Sequence, residues 1–282
     1  MESRMKSKHA FKTKQGKTAV MEFYDSQLEQ LSIPYDTINV NTRYGNTFII
    51  SYGEKEAPPL ILLHGGGMNS CMWLEEAREY SRRHRVYAVD IPGEAGKSDE
   101  NQMQLKGRFY EDWLLDVFDD LMLEKADLMG ISFGAWLSTK FSICYPERVN
   151  KLVLLSPLGI SPQKKSFLFI SLSCMLLGES GIDKLYDKIN SNPAVPEAML
   201  KYQKLIGENF NNRNELIPLF SNVELKRLVM PVIMFVGEKD IIIHSKKTAK
   251  RLRSLVPHAK INILIGVGHT LVNLGDKITA II

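Results

Sequence analysis

Residues 126–134 read ADLMGISFG, and this stretch decides the fold. Its first six residues form an apolar run that predicts a strand, and residues 134–145 predict a helix. The tight turn between them carries Ser132. A side chain two residues before or after the serine would collide with neighbouring backbone, so glycine at 130 and 134 fits such a turn. The turn would hold the Ser132 hydroxyl at the start of the helix, where developing negative charge is favoured.

Apolar runs of the same kind recur along the chain and alternate with helical patterns. They occupy Pro59–Leu63, Val86–Asp90, Lys151–Leu155, Pro231–Val236 and Lys260–Ile265. Continuous apolar runs are typical of strands buried on both faces. Helices are predicted between them, over 70–82, around Trp113 to Leu121, and over 245–254. The alternation predicts an α/β fold whose mainly parallel sheet has helices on both faces.

The alternation stops between Gly159 and Val229, where the pattern is mostly helical. We interpret residues 159–229 as a helical lid inserted into a core formed by residues 35–158 and 230–282. A basic N-terminal tail and a helix, residues 1–34, precede that core. An insertion after the carboxyl end of a parallel strand lies over the edge where such sheets bind ligands. Its apolar segment, Phe167–Leu177, is expected either to pack between lid and core or to form the wall of an acyl pocket.

Length and composition exclude several classes of protein. With 282 residues, of which 44% are hydrophobic and 24% charged, the chain can bury a single large core. This excludes a disordered chain, a collagen-like fibre and a coiled coil. The cysteines Cys71, Cys144 and Cys174 contain no CxxC pair, so reduced thiols are expected rather than disulfides or a zinc site. The histidines are scattered along the chain, and we expect no metal and no other cofactor.

The net charge of +4 is concentrated in the N-terminal tail. Met1 to Lys17 hold six Lys and Arg residues against one acidic residue, and the rest of the chain is close to neutral. Such a tail is either solvated or contacts nucleic acid or an anionic membrane. We expect the solvated tail, with no nucleic-acid partner and no stable membrane association. Neither a secretory h-region nor a run long enough to span a membrane is present, which predicts a cytoplasmic protein. The oligomeric state is left open.

The Gly-x-Ser-x-Gly motif at a strand-to-helix turn resembles the nucleophile elbow of the α/β-hydrolase superfamily. The resemblance covers roughly residues 35–282. In that family an acid and then a histidine follow the nucleophile at the ends of later strands. The resemblance assigns the acid to Asp240, with Glu238 as a rival, and the histidine to His269. A histidine can take the proton of the serine hydroxyl, and a carboxylate on its other ring nitrogen fixes its tautomer.

The same resemblance implies an oxyanion hole, which is a pair of N–H groups that stabilise the negative oxygen of the transition state. Its donors would be the backbone N–H groups of Phe133 and Gly66, with Gly67 as the alternative to Gly66. Gly67, Met68 and Trp136 are expected to contact the substrate, and His64 to form hydrogen bonds behind the loop. A phosphate-binding loop is disfavoured, because HGGG at 64–67 lacks both a P-loop lysine and the GxGxxG spacing.

Two further stretches narrow the resemblance. HGGGMNSCMW at 64–73 and DIPGEAGKS at 90–98 are most similar to carboxylesterase-type hydrolases of Gram-positive bacteria. The second stretch carries one residue more than the family pattern, before Gly96, and relatives use it as a structural border of the pocket. After His269 the chain is shorter than in relatives, and a helix is expected over Val272–Ile282.

The resemblance implies a serine hydrolase that cleaves carboxylic esters of small to medium apolar acids through an acyl-enzyme. The partner is then a small-molecule ester. One alternative is hydrolysis of a carbon–carbon bond in a dienoic ring-cleavage product, which would need basic residues to hold a carboxylate. A second alternative is a ligand-binding protein that keeps the hydrolase fold.

Overall fold

The computed structural model describes residues 10–191, 195–213 and 215–282, and its centre is an eight-stranded sheet. The strands are β1 (Tyr35–Thr42), β2 (Gly45–Tyr52), β3 (Pro59–Leu63), β4 (Arg85–Val89), β5 (Ala126–Ile131), β6 (Val149–Leu155), β7 (Val232–Gly237) and β8 (Lys260–Leu264). Their order across the sheet is β1-β2-β4-β3-β5-β6-β7-β8. The β1–β2 and β2–β4 pairs are antiparallel, and all other pairs are parallel. The predicted mainly parallel sheet is confirmed.

Helices cover both faces of this sheet. They are α1 (Lys14–Glu29), α2 (Ala77–Ser81), α3 (Phe109–Asp120), α4 (Phe133–Cys144), α5 (Lys165–Met175), α6 (Glu179–Asn190), α7 (Glu197–Asn209), α8 (Asn222–Leu225), α9 (Ser245–Leu255) and α10 (Gly275–Thr279). One buried cluster contains residues of α3, α4 and α9, and the other contains residues of α1, α2 and α7. Strands β5 and β7 are buried at every position, which explains why their residues are apolar apart from Asp127 of β5.

Two predicted helices differ from the structure. The helix expected over 70–82 is split into a 3₁₀-helix, Ser70–Glu76, and the short α2. Asn69, not Ser70, caps it, because the Asn69 side chain accepts a hydrogen bond from the Cys71 N–H at 3.2 Å. The helix expected over 272–282 is reduced to α10. The Glu76 carboxylate accepts the N–H of Gly275 at 3.2 Å, so the first turn of α10 is fixed to the 3₁₀-helix instead of extending further.

The segment between β6 and β7 is helical, but α5 faces outward. Four apolar side chains of Phe167–Leu177 are more than half exposed, at 71% for Phe169, 60% for Leu172, 81% for Leu176 and 56% for Leu177. For these four residues, packing between lid and core is wrong, and the wall of an acyl pocket stays a prediction. Helix α5 packs against α6, its neighbour in the insertion, while Phe167 contacts the core.

The N-terminal segment is bound to the insertion. Residues 1–9 of the predicted tail lie outside the described residues, but Ala10 and Phe11 are buried and therefore do not belong to a solvated tail. The Phe11 ring meets the edge of Phe210 with centroids 5.4 Å apart. The Asn211 N–H donates to the Ala10 carbonyl, and the Lys12 N–H to the Asn209 carbonyl, both at 2.8 Å. This antiparallel contact fixes the C-terminal end of α7.

We expect Phe11→Ala to lower the free energy of unfolding by about 3 kcal/mol, since it removes a large buried side chain. Urea unfolding followed by circular dichroism measures the change. Lys14→Ala is the matched control, because Lys14 belongs to the same segment and is exposed. Equal stabilities of the two variants would show that the Phe11 contact contributes nothing to folding.

Candidate active site

Ser132 lies in a strained turn between β5 and α4. Its φ of 54° falls in the left-handed region that residues with side chains rarely adopt. A Cβ on Gly130 would overlap the backbone of Gly134, and a Cβ on Gly134 would overlap the carbonyls of Leu63 and His64. The predicted reason for glycine at both positions is confirmed. Because these glycines allow the turn to lie against the end of β3, the serine is brought beside the loop that follows β3.

The structure brings Ser132, His269 and Asp240 into one hydrogen-bonded chain. His269 Nε2 lies 2.9 Å from Ser132 Oγ, and His269 Nδ1 lies 2.7 Å from Asp240 Oδ2. Each residue follows the carboxyl end of a strand: Ser132 follows β5, Asp240 follows β7, and His269 follows β8. The rival acid, Glu238, instead accepts a hydrogen bond from the Gly266 N–H at 3.3 Å on the surface.

Backbone contacts fix the acid and the histidine. Asp240 Oδ1 accepts the N–H groups of Ile242 at 2.7 Å and Ile243 at 3.0 Å, which leaves Oδ2 for the imidazole. The His269 N–H donates to the Ile189 carbonyl at the end of α6, at 2.9 Å. The Ser156 hydroxyl donates to the His269 carbonyl, also at 2.9 Å. The imidazole therefore has its position set by both the core and the insertion.

The environment keeps Asp240 ionised. Burial alone would raise the pKa of this carboxyl, but the charge and hydrogen bond of His269, together with the N–H groups of Ile243 and Ile242, outweigh burial and lower the pKa below its ordinary value. An ionised Asp240 accepts a hydrogen bond from the Nδ1–H of His269. This tautomer leaves the lone pair of Nε2 facing the Ser132 hydroxyl.

The glycine loop after β3 lies beside the serine. A Cβ on Gly66 would lie 3.5 Å from Cβ of Phe133, so the two candidate oxyanion donors are neighbours. Within the described parts of the chain, neither the Gly66 N–H nor the Phe133 N–H has a hydrogen-bond acceptor. The Gly67 N–H differs, because it donates to Glu94 Oε2 at 2.7 Å. Gly66 and Phe133 are thus the pair with free N–H groups at this position.

His64 holds the glycine loop from behind. Its Nε2 accepts the Ile91 N–H at 2.9 Å, and its Nδ1 lies 2.8 Å from the Gly65 carbonyl oxygen. Because Nε2 accepts, Nδ1 carries the proton and donates it to that carbonyl. Burial lowers the pKa of His64, which favours this neutral form. The expected structural hydrogen bonding of His64 is confirmed.

Met68 and Trp136 lie on different sides of the site. Met68 is one of the residues that line a cavity of about 240 Å³ between α1, the 3₁₀-helix and α7, with Phe23 and Tyr202 among the others. Trp136 is buried and stacks between Phe133 and Phe220, with centroid distances of 5.9 and 6.0 Å. Its indole N–H donates to the Pro218 carbonyl at 3.0 Å, so Trp136 joins α4 to the insertion. Their contact with substrate stays a prediction.

Sequence reasoning missed a buried ion pair next to this loop. Glu94 is only 2% exposed, and its Oε1 lies 3.2 Å from Nε of Arg213, a residue of the insertion. The guanidinium centre of Arg213 lies 5.4 Å from the centroid of the Phe133 ring. The one available signal was the extra residue in the 90–98 stretch, which puts a glutamate into an otherwise apolar and glycine-rich turn.

Metal ligation and membrane spanning have no structural basis in the described residues. Among residues 10–191, 195–213 and 215–282, no group of three His, Cys, Asp or Glu side chains is placed to hold a metal ion. The helices in the same ranges are too short or too polar to cross a bilayer.

Comparisons with known proteins identify relatives of this chain and of its fold. A family model described as alpha/beta hydrolase fold matches residues 58–171. Carboxylesterase YbfK of Bacillus subtilis strain 168 is 31% identical over 260 residues, covering 88% of this chain and 86% of that protein. The crystal structure of the same carboxylesterase, CesB (YbfK), superposes with a TM-score of 0.81 at 30% identity, covering 90% and 92% of the two chains. Naproxen esterase of B. subtilis superposes with a TM-score of 0.84 at 27% identity, covering 96% of each.

We expect Asp240→Asn to remove a pH-dependent part of the stability. Since the folded-state pKa of Asp240 is lowered, its ionised form stabilises the fold above the unfolded value of about 3.9, and this stabilisation is lost as the pH falls through the lower folded pKa. The gap in unfolding free energy between wild type and variant should be widest above pH ~4 and narrow below it. Urea unfolding from pH ~6 to ~3 measures the gap, and a constant gap would contradict the prediction.

Proposed function

The chain belongs to the α/β-hydrolase family, together with the B. subtilis carboxylesterases, and we propose that it hydrolyses carboxylic esters through Ser132, His269 and Asp240. The observation that carries the proposal is the continuous chain of hydrogen bonds, 2.9 Å and 2.7 Å long, from the strained serine through the imidazole to the buried carboxylate. An isolated serine hydroxyl is a weak nucleophile at neutral pH and requires this arrangement.

The first half of the reaction forms an acyl-enzyme. Ser132 Oγ attacks the ester carbonyl carbon while its proton passes to His269 Nε2. The carbonyl π electrons move onto oxygen, and the oxyanion accepts hydrogen bonds from the N–H groups of Gly66 and Phe133. When this intermediate collapses, the bond to the alcohol oxygen breaks, and the alcohol leaves with the proton from His269. Asp240 stabilises the imidazolium that exists in between.

The second half repeats these steps with water. His269 Nε2 takes a proton from a water molecule, and the water oxygen attacks the acyl carbon. The same two N–H groups hold the second oxyanion. Its collapse breaks the bond to Ser132 Oγ, which regains a proton from His269, and the carboxylic acid leaves.

We propose that the acyl group is apolar and small to medium in size. The cavity that Met68 lines is bordered by the apolar side chains of Phe23, Leu31 and Met199, and it adjoins the glycine loop, because Met72 lines it and its sulfur accepts the Gly65 N–H at 3.5 Å. The same cavity is also lined by Gln27, Gln30 and Glu75, but by no Lys, Arg or His among the described residues. Its apolar side chains favour an apolar acyl group, and a lining without a cation does not favour a charged one. The similarity to a naproxen esterase supports an apolar acid.

The carbon–carbon hydrolase alternative has less support. Its substrate carries a carboxylate, which requires an available cation at the site. Arg213 lies against Phe133, but its charge is already paired with Glu94. Ester hydrolysis needs no such cation.

We expect Ser132→Ala to lower the kcat for p-nitrophenyl esters on the order of 10⁶-fold, or to background, since the nucleophile is removed. Labelling by a fluorophosphonate probe should vanish as well. Ser142→Ala is the matched control, because Ser142 lies on α4 and its hydroxyl bonds only the Ser138 carbonyl within that helix. Residual turnover or labelling in Ser132→Ala at wild-type level would assign the nucleophile to another residue.

We expect p-nitrophenyl butyrate to have a higher kcat/KM than the equally long but charged p-nitrophenyl hemisuccinate, because the described residues that line the cavity include no cation to compensate a carboxylate. Turnover of p-nitrophenyl esters with acyl chains of increasing length, measured as release of p-nitrophenol, gives the size of the acyl pocket. Equal or faster turnover of the hemisuccinate would contradict the apolar preference.

The same assays distinguish the alternative functions. Faster turnover of a dienoic ring-cleavage product, measured as the loss of its absorbance, would favour the carbon–carbon hydrolase. Very slow turnover with tight product retention would favour a ligand-binding protein.

A further inference from the structure

We propose that Glu94 and Arg213 form a positioning pair for the oxyanion site, in which Glu94 fixes the Gly66–Gly67 peptide and Arg213 holds Glu94 in place. The proposal rests on the proposed function for its effect on the reaction. It goes beyond that function because it gives the insertion a direct role in shaping one of the two oxyanion donors.

The glycine loop cannot hold its own conformation. Residues 65–67 are three consecutive glycines, and glycine has the widest range of backbone conformations of any residue. Gly67 is in the left-handed region, at φ 64°. The Gly66 N–H belongs to the Gly65–Gly66 peptide, which is joined to the Gly66–Gly67 peptide at the Gly66 Cα. If the Gly66–Gly67 peptide is not held, the Gly66 Cα can shift and carry its N–H away from Phe133. A contact from outside the loop is therefore needed to keep the Gly66 N–H in position.

Glu94 supplies that contact. Its Oε2 accepts the Gly67 N–H at 2.7 Å, so it fixes the orientation of the peptide that links Gly66 to Gly67. A charged acceptor makes this a stronger hydrogen bond than a neutral one would be. The 90–98 turn lies against this part of the chain, since the Asn69 side chain also donates to the Ala95 carbonyl at 2.7 Å.

Arg213 makes it possible to bury the Glu94 carboxylate. Burial raises the pKa of Glu94, and the Arg213 guanidinium opposes this rise. Without Arg213 the carboxylate would be an unpaired buried charge, which would either take up a proton or turn toward solvent. Either change weakens its bond to the Gly67 N–H. Arg213 thus acts on the loop through Glu94.

Arg213 is itself held by the core on several sides. Its Nη1 donates to the Met103 carbonyl at 2.9 Å, and its Nη2 donates to the Tyr110 hydroxyl. Its guanidinium lies against the ring of Phe133, whose backbone N–H is the other candidate oxyanion donor. The preceding residue, Asn212, lies so close to Gly67 that a Cβ there would overlap its amide oxygen. The same short segment of the insertion therefore contacts the donor residue Phe133 and the residue that follows the other donor, Gly67.

Three variants separate positioning from general stability. Glu94→Ala removes the acceptor of the Gly67 N–H, and we expect kcat for p-nitrophenyl butyrate to fall at least tenfold while KM changes less than threefold. Glu94→Gln keeps an acceptor oxygen and should recover most of that loss. Arg85→Ala is the control for lost stability, because it breaks the 2.8 Å ion pair between the largely buried Arg85 and Asp36. Arg85 is the first residue of β4, so this ion pair lies at the edge of the sheet opposite to the candidate site. This variant should keep a kcat near the wild-type value.

The exchange of the Gly67 amide reports on the loop without any need for activity. Hydrogen exchange of a peptide spanning residues 64–69 should show a protected Gly67 amide in the wild type and in Arg85→Ala, and faster exchange of this amide in Glu94→Ala. Unchanged exchange in Glu94→Ala would overturn the proposal, as would a kcat that falls no further than in Arg85→Ala. If the wild type hydrolyses no ester and Ser132 takes no probe, the proposed function fails, and the exchange measurement still decides the positioning claim.

A double variant tests whether Arg213 acts through Glu94. Arg213→Met alone should lower kcat, because it leaves the Glu94 carboxylate unpaired. If the two residues act as one unit, Glu94→Ala/Arg213→Met should lose no more activity than Glu94→Ala alone. Losses that multiply would show that Arg213 acts on the site independently, and that part of the proposal would be wrong.

Discussion

The backbone strain at Ser132 is the constraint on which the site depends. A serine at φ 54° costs free energy and persists only where its surroundings leave no alternative. Those surroundings are the close approach of β5, α4 and the end of β3, which glycine at 130 and 134 makes possible. The same approach places the glycine loop beside the serine. The strained nucleophile and the candidate oxyanion donors therefore depend on one packing contact, and neither can be assembled without the other.

The insertion is tied to the site rather than resting on it. The end of α6 accepts the His269 N–H through the Ile189 carbonyl, and the segment after α7 contacts the glycine loop through Arg213 and Glu94. The N-terminal segment in turn holds the end of α7 through its contact with Phe210. Three separate parts of the chain thus converge on the same helices. Movement of the insertion would disturb the base and the oxyanion loop together, so opening of this region and loss of catalytic geometry are coupled.

The sequence predicts the parts of the structure that local pattern decides. Strands β3 and β7 are continuous apolar runs, as burial on both faces requires, and the glycines around Ser132 follow from steric exclusion. Strand β8 differs, because it lies at the edge of the sheet and its residues are half-buried or exposed. Asp240 and His269 could be assigned because the family resemblance fixes their order along the chain, and the structure brings both to the serine. The role of Asp240 and His269 in catalysis is a separate matter, which only the kinetics of variants decides.

Features that depend on distant contacts could not be predicted. The outward direction of α5 follows from its packing on α6, and its apolar sequence gives the opposite impression. The sequence places Phe11 in a basic tail that is expected to be solvated. In the structure Phe11 is buried against Phe210. The sequence indicates only a turn residue at Glu94. Its ion-pair partner, Arg213, lies more than a hundred residues later in the chain. In each case the partner is far away in sequence, and no periodicity or spacing connects the two.

Asp240 and Glu94 are two buried carboxylates whose surroundings shift their pKa values in opposite directions, and this difference suits them to different roles. Asp240 faces an imidazole and two backbone N–H groups, which outweigh burial and lower its pKa. Burial prevails at Glu94 and raises its pKa, although Arg213 and the Gly67 N–H oppose it. A carboxylate that stays ionised can stabilise an imidazolium that forms during the reaction. Glu94 contacts no group that changes charge in the proposed reaction, so its ion pair can only hold geometry. In the proposed reaction, charge at Asp240 would thus serve the chemistry, and charge at Glu94 would serve the shape of the oxyanion site.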